Sequence, residues 1–420
     1  MVSKTRRGHH QHGVALVVLL AIVAFVLIGA LLTALHGSGG EAKRERQTSL
    51  ALGMARDALI ARAASDPSRP GSLPCPDVDN DGDAESPVAF GGVCPSYVGR
   101  FPFRTLRMPD LRDGNGDRLW YALSPVFRDH PSAGTLNSDS PGQLTVTGTQ
   151  AANNVIAIVF SPGPPLGGQL RDPANELLVS NYLEGDNATT GDQSFETGLT
   201  TGTFNDRALV LTADMLMPAV EQRVAQQTLS CLYRFSQQAG ANGRFPWPTV
   251  DLSYNDNATA QLFGRIPTDL TNTNASLGLA PGTLTWPVDL PQPGAVASSC
   301  FDTTTWWVYW RQYLFYDVSD AFKPGIGPPG SCPLNCVDVN GQGSVTVVVI
   351  VAGRRIAANP AQGPRPSTNA SDYLETDPVT SIDNAAGGTA FAKANATYST
   401  TINFNDRLVC MRVSPTAPCP

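Results

Sequence analysis

Phe204-Asn205-Asp206-Arg207 recurs letter for letter as Phe404-Asn405-Asp406-Arg407, and that recurrence decides how the rest of the chain is read. Upstream of each copy the same landmarks follow in the same order. Gly71-Ser72-Leu73-Pro74-Cys75-Pro76-Asp77-Val78-Asp79 is echoed by Gly243-Arg244-Phe245-Pro246-Trp247-Pro248-Thr249-Val250-Asp251. Gly99-Arg100-Phe101-Pro102 returns as Gly264-Arg265-Ile266-Pro267, and Asn181-Tyr182-Leu183-Glu184 as Asp372-Tyr373-Leu374-Glu375. The aromatic run Trp120-Tyr121-Ala122-Leu123 is matched to Trp306-Trp307-Val308-Tyr309. The apolar run 155–160 is matched to 345–350. Matches kept in order indicate a tandem duplication.

Each copy opens on a helical pattern. In 41–65, Leu52, Ala55, Leu59 and Ala63 fall on one face, and Asp66-Pro67 ends the run. In the second copy, Pro218 suits a first helical position, and Val220, Val224, Thr228, Cys231, Leu232 and Phe235 keep helical spacing up to Gly240. The apolar runs at 155–160 and 345–351 read as buried strands. Each copy is therefore expected to be an α+β unit with a helix on one sheet face.

The N-terminus carries a different signal. After Lys4, Arg6 and Arg7 the chain reads Gly13-Val14-Ala15-Leu16-Val17-Val18, and Val14 to Leu35 is a run of 22 residues without a charge. At about 1.5 Å per helical residue, such a run spans a hydrocarbon core of ~30 Å. Basic residues ahead of it place the N-terminus in the cytoplasm. An ordinary secretory signal would have a shorter apolar core followed by a small-residue cleavage site. Here His36-Gly37-Ser38-Gly39-Gly40 and then Glu41-Ala42-Lys43-Arg44-Glu45-Arg46 follow instead. The glycines should loosen the join to the helix beyond.

This start resembles the type IV pilin-like proteins. The resemblance implies cleavage between Gly13 and Val14 by a prepilin peptidase, with the apolar segment retained. It further implies other pilins or pseudopilins and inner-membrane assembly proteins as partners, and a head in the periplasm. Where most such pilins carry glutamate at the fifth mature position, this chain has Val18. That is similar to minor pilins and to the K-type minor pseudopilin of type II secretion, which sit at or near a filament tip. The resemblance covers roughly the first 65 residues. The function it implies is structural, a minor or tip subunit of a type IV pilus or type II secretion pseudopilus. The alternative is a membrane-anchored binding protein, and a hydrolase stands well behind both.

The architecture expected from all this is α+β. A leader (1–13) precedes a transmembrane helix (14–35), which extends into an extracytoplasmic, pilin-like helix (36–65). Two tandem helix-plus-antiparallel-sheet units follow (66–217 and 218–420), stapled by disulfides. All eight cysteines lie beyond the apolar run, as expected of an oxidising compartment. Sequence alone allows 105 connectivities. Proximity favours Cys75–Cys94, Cys332–Cys336 and Cys410–Cys419, which leaves Cys231 with Cys300. Formal charge is −7 and loss of the three basic residues in 1–13 makes it more negative, so nucleic acid is not an expected partner.

Candidate chemistry is sparse. The five histidines are His9, His10, His12, His36 and His130, so only His130 lies in the external units. A nucleophile–histidine site would have to be built on it, and no enzyme is expected. Asp77-Val78-Asp79-Asn80-Asp81-Gly82-Asp83-Ala84-Glu85 has alternating carboxylates with glycine sixth, the opening of a calcium loop. The twelfth position is Val88, not the bidentate glutamate of a full EF-hand. The stretch therefore reads either as a calcium site on Asp77, Asp79, Asp81, Asp83 and Glu85 or as a solvated acidic turn. Asp113-Gly114-Asn115-Gly116-Asp117 reads as a turn. Trp306, Trp307 and Trp310 read either as core or as a face for recognising a glycan or a partner.

Overall fold

The computed structural model describes residues 40–257, 261–288, 299–302, 306–332, 336–357, 361–393, 404–412 and 419. Gly13, Val14 and the whole of the expected leader and 14–35 span lie outside the described residues. The described chain begins with helix α1, residues 40–65. Its charged first turns stay in solvent, while Ala51, Leu52, Ala55, Ala58, Leu59 and Ala63 are buried. At its end the Asp66 carboxylate takes the Arg62 guanidinium at 2.6 Å and the Ser68 and Arg69 amides at 2.8 Å. The chain thus turns where Asp66-Pro67 predicted.

The first unit continues through β1 (Val98–Arg100), β2 (Trp120–Leu123), β3 (Leu144–Gly148), β4 (Ala152–Val155), β5 (Ala157–Ser161), β6 (Ser194–Thr197) and β7 (Arg207–Leu211). An antiparallel sheet forms in the order β1-β2-β5-β7, and a small second sheet in the order β4-β3-β6, with β6 parallel to β3. The small sheet covers the outer face of the larger one, enclosing Trp120, Phe160 and Phe195.

Helix α2 (Ala213–Ser236) leads into the second unit. It is followed by β8 (Phe263–Arg265), the short helices α3 (Thr271–Ser276) and α4 (Trp307–Trp310), then β9 (Leu314–Val318), β10 (Val337–Val339), β11 (Gln342–Val351), β12 (Ala390–Phe391) and β13 (Arg407–Arg412). These strands form one sheet in the order β12-β10-β11-β9-β8, with β13 on β11. Strand β11 is ten residues long and does in one run what β4 and β5 do in two pieces, separated at Ile156.

The register sets the two units side by side and corrects part of the expected match. Arg100 faces Trp120 across β1–β2, and Arg265 faces Phe315 across β8–β9. Trp120 then faces Phe160, as Phe315 faces Ile350. The Tyr121 hydroxyl donates to the Pro74 carbonyl, and the Tyr316 hydroxyl to that of Pro246. The counterpart of Trp120-Tyr121 is therefore Phe315-Tyr316, not Trp306-Trp307. The tryptophan run forms a helical turn packed through Phe301 and Trp286 onto Phe235 of α2.

The expected fold class does not hold. The described protein is mostly β-sheet with four α-helices, and none of these is long and apolar enough to cross a membrane. The physical reason lies in their composition: Glu41, Lys43, Arg44, Glu45, Arg46, Arg56, Asp57 and Arg62 lie in α1, and Asp214, Glu221, Arg223 and Arg234 in α2. The sheets are not purely antiparallel either, since β3–β6 and β10–β12 run parallel. Helix α2 also starts earlier than the proline suggested. Pro218 sits inside it, and the Leu216 amide already bonds the Thr212 carbonyl. The expected boundary at 217/218 thus falls within a helix.

One apolar core runs through both units, from α1 and the β1-β2-β5-β7 sheet to α2 and the second sheet. Only Thr212 separates β7 from α2, which packs on β11 and β13. All four expected disulfides are present: Cys75–Cys94, Cys231–Cys300, Cys332–Cys336 and Cys410–Cys419.

Candidate functional site

The repeated Phe-Asn-Asp-Arg tetrapeptide builds a buried polar cluster, and builds it twice. In the first unit, Glu184 accepts from the Asn205 amide at 2.9 Å, the Asp206 amide at 3.2 Å and Gln169 Nε2 at 2.7 Å. Asp206 in turn accepts the Glu184 amide at 2.9 Å and Asn187 Nδ2 at 3.0 Å. In the second unit, Glu375 accepts from the Asn405 amide at 2.9 Å and Gln362 Nε2 at 2.6 Å. Asp406 accepts the Glu375 amide at 3.1 Å and Asn384 Nδ2 at 3.0 Å. Asn205 Nδ2 and Asn405 Nδ2 tie down the carbonyls of Pro164 and Arg354, both at 2.7 Å. The asparagines lie so close to Gly163 and Gly353 that a Cβ on either glycine would meet the amide oxygen.

An arginine clamps each cluster. Arg171 donates to the carbonyls of Asn181 and Gly163 and to Gln169 Oε1, and pairs with Asp117 at 2.6 Å. Arg365 donates to the carbonyls of Asp372 and Gly353 and to Gln362 Oε1. Its acid partner is Asp139, at 3.2 Å, which belongs to the first unit. Asp139 also accepts the Tyr313 hydroxyl at 2.9 Å and the Arg355 amide at 2.7 Å.

Two buried carboxyls facing each other cannot both ionise cheaply. Burial first, and then the charge of Glu184, pushes Asp206 up to about 8. Burial and the charge of Glu375 push Asp406 well above the usual carboxyl range, and burial raises Glu375 to about 7. A proton on each aspartic acid converts a repelling pair into a hydrogen-bonded acid–carboxylate pair. The groups are almost wholly buried, and Asn205 Oδ1 and Asn405 Oδ1 are left without a hydrogen-bond partner among the described residues; these pairs pin loops to strands. The recurrence of the tetrapeptide does not announce this cluster. The remote partners Gln169/Gln362 and Asn187/Asn384 were out of reach because loops of unequal length separate them from the motif.

The acidic loop folds around Asp77. That carboxylate accepts the Asn80 amide at 2.6 Å and the Gly82 amide at 2.7 Å, and Gly82 has a φ of 95°, which favours glycine. Carboxylate oxygens of Asp77, Asp79 and Glu85 lie within 4.8 Å of one another. Asp81 and Asp83 stand apart from that group; Asp81 accepts the Asp83 amide at 2.7 Å. Three oxygens fall short of the six to eight that calcium takes, so backbone carbonyls or water would have to supply the rest. Asp113-Gly114-Asn115-Gly116-Asp117 is the expected turn, with a role in packing. Gly114 donates to Thr48 Oγ1 at 2.9 Å and lies against the Arg44 carbonyl of α1.

Trp306, Trp307 and Trp310 are all at most 1% exposed, which places them in the core and leaves no stacking face on these rings. His130 Nδ1 lies 2.9 Å from Ser132 Oγ and accepts the Ser132 amide, the geometry of a capped turn. Ser132 Oγ donates to the Gly92 carbonyl, and the neighbouring Asp129 carboxylate is taken by Arg62 and Ser72, so among the described residues no acid is seen to orient the imidazole. Comparison of the chain with protein-family models, with curated proteins and with solved structures gave no match.

Proposed function

We propose that the chain is a structural, pilin-like subunit, a minor or tip component of a type IV pilus or type II secretion pseudopilus. The observation that carries the reading is the junction Gly13-Val14, basic residues before it and an uncharged apolar run after it. On this reading a prepilin peptidase cuts between Gly13 and Val14. The 14–35 segment then meets the inner membrane and neighbouring pilins or pseudopilins during assembly, and the head works in the periplasm. Four disulfides and a net acidic surface are consistent with that compartment.

Val18 at the fifth mature position supports a low-copy place over a shaft. A shaft subunit repeats one contact many times, and a buried carboxylate needs its partner at each repeat. The size of a duplicated head supports the same choice. The binding-protein alternative loses its suggested surface, because the three tryptophans are interior.

N-terminal mass spectrometry of the protein expressed alongside a prepilin peptidase tests the reading directly. A mature start at Val14 is expected, and Gly13→Leu should leave the chain uncut. A start at Met1 in both, or one after Leu35, would overturn it.

A further inference from the structure

The two units differ most on the outer face of their sheets. In the second unit that face, between β8, β9 and the 385–389 loop, holds a cavity of about 550 Å³, within the range of small-molecule sites. Its walls include Leu262, Phe263, Phe315, Val318 and Val337, with the Phe263 and Phe315 rings stacked at an interplanar angle of 12°. Into this apolar space projects the carboxyl of Asp317, which is 2% exposed. Asp317 sits opposite Phe263 in the β8–β9 register. Among the described residues it has no ion pair; the Gly388 amide is the donor that reaches it.

The first unit supplies an internal control. The register puts Ala122 where the second unit has Asp317. The matching hollow beside β1 and β2 is smaller, about 370 Å³, and is lined by Trp120, Val98 and Leu178. One acid in that wall, Asp77, is already consumed by the amides of its own loop. The second unit has therefore gained both room and an uncommitted buried acid at one place, and the duplicated scaffold required neither.

A buried carboxyl costs stability unless something repays its desolvation. A metal ion would want several oxygens, and Asp320, the other carboxylate in the wall, is paired with Lys323 at 2.5 Å. Arg265, the cation in the wall, is spent on the Gln312, Ser367 and Thr368 carbonyls and on the face of Phe315, so the one acid in the wall without an ion pair, Asp317, matches a single positive charge on an apolar carrier by charge complementarity. We propose that this cavity binds an organic cation, an ammonium group on a flat apolar body, with Asp317 as its counter-ion. Burial pushes the empty Asp317 up to about 8, so near neutrality the ammonium meets a protonated acid. Binding then forms the ion pair and releases that proton to solvent. The site is independent of the filament role proposed above.

Calorimetric titration of the full chain with 2-phenylethylamine and with its neutral analogue 2-phenylethanol tests this. The amine is expected to bind at about pH 7 with proton release, seen as a dependence of the heat on buffer ionisation enthalpy. Asp317→Asn and Asp317→Ala, the latter installing the residue of the first unit, should each weaken the amine at least tenfold. Equal binding of amine and alcohol, undiminished amine binding by the variants, or no binding of either ligand would overturn the proposal. Should both variants fail to fold, the wild-type contrast between amine and alcohol still decides: preference for the amine that weakens on going to about pH 5 supports it, and no preference sinks it.

Discussion

The two units carry the same polar pin and use it differently. In the first, Arg171 clamps its cluster and reaches Asp117 in the same unit. In the second, Arg365 makes the same backbone contacts yet takes its acid, Asp139, from the first unit. The outer sheet faces diverge as well: a separate three-stranded sheet closes one, and the other continues the main sheet and leaves a cavity. What the two units share is the hydrogen-bonding logic of a loop held against two strands. What differs is the choice of partner at the rim of that pin.

The sharpest way to break this equivalence is to remove the clamps. Arg365→Ala strands several buried carbonyls and a buried carboxyl pair, so a loss of about 3–5 kcal/mol is expected in urea unfolding of the full chain. Arg171→Ala should cost about the same. A loss below about 1 kcal/mol in either would show that the two clusters are not equivalent supports.

A smaller effect comes from pH. Asp206, Glu375 and Asp406 have folded pKa values raised above their unfolded ones. Their stabilising contribution is fully present below the ordinary carboxyl range near 4 and is lost as pH rises to about 8. Melting temperature is expected to fall across that window, and Asp206→Asn with Asp406→Asn should flatten the fall. A melting temperature that climbs with pH in the same window would contradict the paired-acid arrangement.

The smallest effect separates the units' rims. Asp139 is about a quarter exposed, so solvent screens its pairing with Arg365. Asp139→Asn should cost about 1 kcal/mol and Asp117→Asn a similar amount. Only the former should split the unfolding transition into two, since Asp139 bridges the units through Arg365, Tyr313 and the Arg355 amide, whereas Asp117 pairs with Arg171 inside the first unit. A single transition in both variants would assign the coupling to the shared core.

Much of this was legible from letters alone. The repeated tetrapeptide, the helix over 41–65 and the disulfide pairs followed from identity, periodicity and proximity. The aromatic match failed because composition cannot tell a buried helical turn from a strand: Trp306-Trp307 looks like Trp120-Tyr121, but only Phe315-Tyr316 faces the strand that carries Arg265. The parallel pairs β3–β6 and β10–β12 join segments far apart in the chain, and no local pattern encodes such pairing. Asp317 was invisible for a related reason. One acid in an apolar run reads as a strand end until register shows that it shares a face with Phe315.

The single-residue link at Thr212 has a mechanical meaning. Strand β7 lies in the first sheet, α2 packs on the second, and no flexible tether separates them. A pull applied through α1 therefore loads both units in series as one stiff body, with Cys231–Cys300 fastening α2 to the chain beyond it. A body built this way resists stretching and swivelling between its two units when its N-terminal end is tugged.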